Sequence, residues 1–104
     1  MNFSAEEAIA RINESVTVEL LVQKTKCCTG SRQAFLDSEP NHRDPKNLGI
    51  VVTETGRAKF SEAGIDDPTD HFCGKKIRVR GVVIRKEKGR YIEVTDPSQI
   101  ELVN

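Results

Sequence analysis

The sequence predicts one all-β domain with short helices, in which five strands close into a Greek-key barrel. Its 104 residues are the length of a single domain. Apolar and polar residues alternate with a period of two in several short segments, and turn-forming residues separate these segments. One short helical pattern lies between the third and fourth strands. With 37% hydrophobic and 31% charged residues, the composition is typical of a folded chain and not of a disordered one.

The first 14 residues predict a short helix. Ser4 and Glu7 have the spacing of a capping box, in which each side chain accepts a hydrogen bond from a free backbone N–H group of the other residue. We therefore divide the chain into an N-terminal helix at residues 1–14 and a barrel at residues 15–104, within one domain. The apolar residues with helical spacing are Ala5, Ala8, Ile9 and Ile12.

Three strands are expected in the first half of the barrel. Residues 16–23 form the clearest strand, because apolar and polar residues alternate through it. Residues 24–32 contain small and turn-forming residues and are predicted to be a loop. Residues 34–36 form a shorter second strand, residues 39–47 contain two prolines and are irregular, and residues 48–53 form a β-branched third strand.

A short helix is expected between Gly56 and Gly64, where Gly64 is suited to the left-handed conformation that ends a helix. Residues 66–68 predict a turn. The fourth strand then begins at Gly74 and contains Gly81 in its middle. A glycine inside a strand usually marks a bulge or a sharp bend, which a closing barrel requires.

The remaining segments complete the barrel. Residues 86–89 predict a hairpin loop, residues 91–94 the fifth strand, and residues 96–99 a turn before a last short strand at residues 100–103. The order is therefore three strands, a helix and two strands, with a helix in front. This order is that of the OB-fold, a five-stranded Greek-key barrel.

Several segments also resemble known proteins. Residues 74–83 (GKKIRVRGVV) and 91–100 (YIEVTDPSQI) resemble the C-terminal half of bacterial OB-fold proteins of the nucleic-acid-binding, tRNA-anticodon-binding-like kind. Residues 35–38 and 43–48 resemble the second and third strands of small uncharacterised OB-fold proteins of bacteria. The resemblance implies an OB-fold and a nucleic-acid ligand. The shared glycine, proline and β-branched positions serve barrel geometry, so they indicate the fold more strongly than the ligand.

The charges are balanced over the whole chain and uneven along it. Sixteen basic and sixteen acidic residues give a net charge of zero, so a nucleic-acid ligand would have to bind a local patch. Residues 75–90 contain eight basic residues and one acidic residue, and residues 24–32 contain three basic residues and no acidic one. These segments hold the two loops beside which OB-folds bind oligonucleotides. A charged two-stranded ribbon can equally be a solvated face that protects a sheet edge.

Binding of a single strand also requires aromatic side chains on which bases stack. Phe60 is expected in the core and Phe3 beside the first helix. Phe35 and Tyr91 remain as candidates for stacking, although either could also be a barrel residue. The predicted nucleic-acid-binding residues are Lys24, Lys26, Arg32, Phe35, Arg78, Arg80, Arg85, Lys86, Lys88, Arg90 and Tyr91.

The chain offers no convincing metal or catalytic site. Zinc sites usually present pairs of ligands two to four residues apart, and the cysteine and histidine residues do not form two such pairs. A phosphate-binding glycine loop, a serine in a nucleophile turn and a helical carboxylate pair are not found in the sequence. We therefore expect no metal, no cofactor, no catalytic residue and no enzymatic activity. The residues considered as ligands are Cys27, Cys28, His42, His71 and Cys73.

Compartment and partners follow from what the chain contains. Three cysteines, two of them adjacent, favour a reducing compartment over a disulfide framework. No run of apolar residues approaches the ~18 of a membrane span, and the N-terminal segment is acidic, unlike a secretory signal. These features predict a soluble, cytoplasmic protein with no membrane partner, although a piece of an exported protein would show them too.

Two functions remain open. The first is weak binding of single-stranded DNA or RNA with little sequence preference, which predicts a strong dependence on salt. The second is a non-enzymatic protein-interaction module, in which the acidic part of the chain and the N-terminal helix contact a partner protein or a second copy. The loop placement and the resemblance favour the first function, whereas the neutral charge and the few aromatic residues favour the second.

Overall fold

The computed structural model describes residues 3–27, 33–41, 44–65, 67–86 and 89–103. The described part is mostly β-structure with a few short helices, as the sequence predicts. Its strands are β1 (Ser15–Leu21), β2 (Lys24–Cys27), β3 (Ala34–Asp37), β4 (Leu48–Val52), β5 (Lys76–Lys86), β6 (Gly89–Val94) and β7 (Ile100–Leu102). Its helices are α1 (Ala5–Ala8), α2 (Glu54–Glu62) and α3 (Pro68–Phe72), and a 3₁₀ turn covers Pro97–Gln99.

The strands form one curled sheet in the order β1-β5-β6-β4-β3-β2, and β7 pairs with β5 beside this path. β1 and β2 are separated in the chain only by Val22 and Gln23, so the two ends of the path belong to one extended segment. β4 and β6 run parallel, whereas the other named pairs are antiparallel. Counting β1 and β2 as one strand, this is the five-stranded Greek-key barrel of the OB-fold.

The segment at residues 24–32 differs from the prediction. Residues 24–27 are not a loop but the strand β2, which pairs with β3 from Lys24 opposite Asp37 to Cys27 opposite Ala34. The sequence did not reveal this strand because its polar residues show no apolar alternation. Strand formation depends on the partner across the sheet as much as on the residues themselves.

The capping box of α1 is confirmed. The hydroxyl of Ser4 accepts a hydrogen bond from the Glu7 N–H (3.2 Å), and the Glu7 carboxylate accepts one from the Ser4 N–H (3.0 Å). The helix is nevertheless much shorter than the predicted residues 1–14: it comprises a single turn, Ala5–Ala8. Asn13 then takes a left-handed conformation (φ 71°) and donates its N–H to the carbonyl of Val83 (2.7 Å). This contact with β5 directs the chain into β1.

The helices between β4 and β5 agree in part with the prediction. Gly64 follows the end of α2 with a φ of 91°, so it is the left-handed residue that the sequence predicts. Asp67 and Pro68, predicted to lie in a turn, instead begin α3. Asp67 accepts a hydrogen bond from the Thr69 N–H (3.0 Å), and Pro68 occupies the first turn, where its missing N–H is not needed.

The inward-facing residues of the strands form a single core with the helices. Phe60 of α2 is buried in this core, as predicted. Its ring packs edge to face on the ring of Phe72, with 5.8 Å between the two ring centroids. Phe3 packs against the edge of the core, and the Arg11 guanidinium lies 4.3 Å from its ring centroid. The remaining aromatic residues, Phe35 and Tyr91, are only partly buried.

Gly81 lies near the point where the pairing of β5 changes. β5 pairs with β1 through Gly81, opposite Val16, and Val82, opposite Ser15, and from Val83 onward it pairs with β6. A Cβ atom at position 81 would lie 2.6 Å from Cγ2 of the buried Ile92, which is far inside van der Waals contact. A side chain at residue 81 would therefore have to displace Ile92 of β6, which a glycine avoids.

Candidate nucleic-acid interface

The outer face of the barrel is set by strand alternation. Alternate residues of β3, β4 and β6 are buried in the core, so the residues between them face outward. Pairing between strands aligns these outward residues in two neighbouring rows. The rows are Lys24, Asp37, Gly49 and Tyr91, and Lys26, Phe35, Val51 and Glu93.

An open groove of about 400 Å³ lies on this face. It brings together Phe35 and Tyr91, which are 56 positions apart in the sequence but separated across the sheet only by β4. Lysine side chains from β2 lie beside the two rings. The lining residues are Lys24, Thr25, Lys26, Phe35, Asp37 and Tyr91.

The ring of Tyr91 lies over two glycines. A Cβ atom at Gly49, its partner on β4, would be 2.6 Å from Cδ1 of the ring. A Cβ atom at Gly89, two residues earlier on its own strand, would be 2.5 Å from the hydroxyl oxygen. Both distances are too short for real atoms, so the ring occupies space that a side chain at either position would fill. The ring is therefore held close to the sheet.

Asp37 is a buried carboxylate in the wall of the groove, with 6% of its surface exposed. Its Oδ1 accepts a hydrogen bond from Nδ2 of Asn47 (3.2 Å). The Oδ1 of Asn47 in turn accepts one from the Glu39 N–H (3.1 Å), so the segment after β3 supports the carboxylate. Our sequence reasoning missed Asp37. Its signal was an aspartate inside a strand, where this residue is uncommon.

The lysines of the groove are exposed on β2. Lys24 stands opposite Asp37, and Lys26 stands opposite Phe35, in the cross-strand register of β2 and β3. Both lysines thus lie beside the groove and contribute to its lining. Among the predicted residues, the structure brings Lys24, Lys26, Phe35 and Tyr91 to one site.

Arg78 and Arg80 lie elsewhere. Both line a second hollow of about 230 Å³, formed on the outside of β1, β5 and the segment leading to β7. The guanidinium of Arg78 contacts the carboxylates of Glu101 (2.7 Å) and Glu19 (3.1 Å), and these hydrogen bonds raise the pKa of Arg78. Arg78 is therefore already engaged by two carboxylates, whereas Arg80 is exposed.

Arg85 and Arg90 face each other directly across β5 and β6. They alternate with Ile84 and Tyr91, so they belong to the opposite face of this ribbon from the groove. Two like charges in direct cross-strand register are unfavourable unless an anion lies near them. Arg32 and Lys88 lie outside the described residues, and only the backbone of Lys86 is described.

The residues weighed as metal ligands do not assemble in the described part of the chain, where no group of three or more histidine, cysteine or acidic residues is suited to hold a metal ion. Cys73 and His71 are exposed at the end of α3. Cys28 and His42 lie outside the described residues.

Among the helices that the structure describes, none has both the length and the apolar character needed to cross a bilayer.

The barrel and its outer groove define an OB-fold domain. No protein-family model matches the chain, and no curated protein is significantly similar to it. Solved structures do match. The aspartyl-tRNA synthetase from Entamoeba histolytica is similar at a TM-score of 0.63 and 17% identity, over 93% of this chain and 20% of that one.

The asparaginyl-tRNA synthetase from Pyrococcus horikoshii is similar at a TM-score of 0.61 and 18% identity, over 97% of this chain and 22% of that one. A chain of the S. pombe Stn1–Ten1 complex is similar at 0.57 and 11% identity, over 86% of this chain and 57% of that one. The chain thus spans about a fifth of the matched synthetases. At these identities the likeness shows the OB-fold alone.

Proposed function

We propose that this domain is a non-enzymatic module that binds single-stranded nucleic acid in the groove on its outer face. One observation carries the proposal: Phe35 and Tyr91, the aromatic residues on the outer face of the described sheet, line one groove together with Lys24 and Lys26. Stacking on an aromatic ring contributes about 1–3 kcal/mol per base. Lysines neutralise phosphates and release counterions. The groove combines both contributions.

This arrangement also gives the path of the nucleic acid across the sheet. Bases stack on Phe35 and Tyr91 in the middle of the sheet, and the sugar–phosphate chain runs past Lys24 and Lys26 on β2. OB-folds usually bind oligonucleotides on the face of their second and third strands, which here are β3 and β4. The names of two similar structures, both tRNA synthetases, and the resemblance of residues 74–83 and 91–100 to nucleic-acid-binding OB-folds support a nucleic-acid ligand.

The other predicted cations have secondary roles. Arg85 and Arg90 lie on the opposite face of the ribbon from the groove, so they would attract only phosphates of flanking nucleotides. Arg80, Arg32, Lys86 and Lys88 would add to this attraction through their charge. Arg78 contributes least, because its guanidinium is held by two carboxylates.

The proposal is tested by fluorescence anisotropy with labelled single-stranded DNA and RNA at low and moderate salt. Phe35→Ala and Tyr91→Ala are each expected to raise the Kd by about 5-fold to 150-fold, which corresponds to the loss of one stacked base. The double variant Lys24→Ala, Lys26→Ala should also weaken binding. Its matched control removes two exposed lysines outside the groove, Lys46 and Lys59, and should bind almost as the parent protein does.

Undetectable binding at low salt, or aromatic variants that bind like the parent protein, would refute the proposal. A protein-interaction module would then be the better explanation. Sedimentation analysis would show self-association of the chain, and the acidic part of the chain and the N-terminal helix would be the places to search for contacts with a partner protein.

A further inference from the structure

We propose that Arg85 and Arg90 form a binding site for a phosphomonoester, the phosphate group found at the end of a nucleic acid or on a free phosphate compound. The site lies outside the groove and goes beyond the function proposed above. The observation behind it is a pair of arginines in direct cross-strand register, with no carboxylate opposite either of them on the described strands.

The two arginines lie at one end of the barrel. Along β5 and β6 they alternate in phase with the buried pair Val83 and Ile92, so they continue the inward-facing rows beyond the core. Residues directly opposite each other on antiparallel strands have Cβ atoms about 4.5–5.5 Å apart. The two guanidinium groups are therefore within reach of one small ligand.

Arg78 shows how the same strand neutralises a guanidinium group. A carboxylate stands opposite it on each neighbouring strand, Glu19 on β1 and Glu101 on β7. The ion pairs measure 3.1 Å to Glu19 and 2.7 Å to Glu101. The charge of Arg78 is thus compensated by the protein itself.

Arg85 and Arg90 are not compensated in this way. Arg90 has Arg85 opposite it on one side and Leu48 on the other. Within the described part of the chain neither arginine belongs to an ion pair, and the Nε of Arg90 is buried without a hydrogen-bond partner. Like charges in register repel, and partial burial of one of them adds a desolvation cost. A bound anion offsets both costs.

The chemistry of the pair favours a phosphomonoester. A guanidinium group has donors in a fork that matches two phosphate oxygens. A phosphomonoester carries a charge of about −1.5 to −2 at neutral pH, which matches two arginines, whereas an internal phosphodiester carries a single negative charge. Residues 85–90 contain four basic residues and one acidic residue, so the sequence around the pair keeps a positive charge.

The first part of the test titrates the protein with inorganic phosphate at constant ionic strength, with sodium chloride as the control salt. The NMR signals of the backbone amides of Arg85 and Arg90 should shift and approach saturation with phosphate only. Arg85→Ala should raise the Kd for phosphate about tenfold, the loss expected for one charge-assisted hydrogen bond. The control Lys59→Ala removes a cation that is paired with Asp96 and should leave the Kd unchanged.

Arg85→Glu is the sharpest variant. It places a carboxylate opposite Arg90, as Glu19 stands opposite Arg78, so it replaces the repulsion by an ion pair. The variant should be at least as stable as the parent protein in phosphate-free buffer and should no longer bind phosphate. Because Arg85 is exposed, we expect the variant to fold, and circular dichroism checks this.

The second part decides the source of the phosphate. Anisotropy compares labelled oligonucleotides of one sequence that carry a 5′-phosphate, a 3′-phosphate or hydroxyl groups at both ends. A nucleic-acid end as the ligand predicts about tenfold tighter binding of one phosphorylated form, and Arg85→Glu should remove this preference. Equal binding of the three forms, together with binding of inorganic phosphate, assigns the site to a free phosphate compound.

This inference and the proposed function fail in different ways. The site is refuted if neither inorganic phosphate nor a terminal phosphate has an effect, or if Arg85→Glu responds to them as the parent protein does. Binding of inorganic phosphate by a protein that binds none of the oligonucleotides refutes the function of the groove and supports the arginine site.

Discussion

Alanine at position 49 should weaken nucleic-acid binding with little effect on folding. The new Cβ atom would lie 2.6 Å from Cδ1 of Tyr91, whereas carbon atoms in contact are about 3.5–4.0 Å apart, so the ring must move by roughly 1 Å or turn away. Tyr91 is only partly buried, so solvent borders its ring. Gly49 does not have a positive φ, so alanine fits the backbone and reduces the entropy of the unfolded chain.

Gly81→Ala is the matched comparison, because its Cβ atom would also lie 2.6 Å from a side-chain carbon. Here the neighbour is Ile92, which is fully buried and has no free space to enter. Overpacking of this kind costs about 1–3 kcal/mol. For a domain of this size each kcal/mol lowers Tm by about 4–8 °C. The same clash distance therefore predicts a loss of stability at position 81 and a loss of binding at position 49.

The two variants are compared by urea unfolding and by anisotropy with a labelled single strand. Gly49→Ala should stay within about 1 kcal/mol of the parent protein in the free energy of unfolding, because the entropic gain offsets part of the strain. Its Kd should rise by about 5-fold or more, as expected when a stacking platform is displaced. Parent-like binding by Gly49→Ala would refute the role assigned to the Tyr91 ring, and parent-like stability of Gly81→Ala would refute the close approach of β6.

Three further predictions concern charge, packing and pH. The double variant Lys24→Ala, Lys26→Ala should reduce the slope of log Kobs against log salt by about 1.4, because each phosphate contact to a single strand contributes about 0.7; an unchanged slope would exclude phosphate contacts by these lysines. Phe60→Ala should lower the free energy of unfolding by about 3–5 kcal/mol, since the ring is 1% exposed and packs edge to face on another ring. A urea titration measures this loss, and a change below about 1 kcal/mol would contradict the prediction. Hydrogen bonds from Thr69 lower the pKa of Asp67, so the folded protein binds this proton less readily than the unfolded chain. The stability that Asp67 contributes is therefore present above about pH 4 and is lost as the pH falls through its lowered pKa. When the free energy of unfolding is measured from pH 2 to 7, Asp67→Asn should lose less stability in acid than the parent protein. Identical pH profiles would contradict the assignment.

Much of the fold was readable from the sequence because its signals are local. Apolar alternation identified β1, and Ser4 with Glu7 identified the start of α1. The left-handed glycine at position 64 was also recognised, whereas the bulge or bend expected at Gly81 stays a prediction. β2 and α3 were missed, since a polar strand is recognisable only by its partner and a short helix begins with the same residues as a turn.

The candidate site was readable only in part. Elimination of core positions left Phe35 and Tyr91, and a count of charges indicated Lys24 and Lys26. Sequence reasoning also grouped Arg78 with them, although the fold places it in another hollow with two carboxylates. Side-chain alternation along one strand states which residues share a face. It does not state which strands are neighbours.

The sequence by itself determined the number and order of the main strands, because burial imposes a local period of two on each of them. Only the tertiary structure decided that Phe35 and Tyr91 share a groove, because this requires β4 to lie between β3 and β6 in one particular register. The place of Asp37 beside Tyr91 depends on the same register and on a glycine at position 49. Such relations join residues that are distant in the chain, and they arise only when the barrel closes.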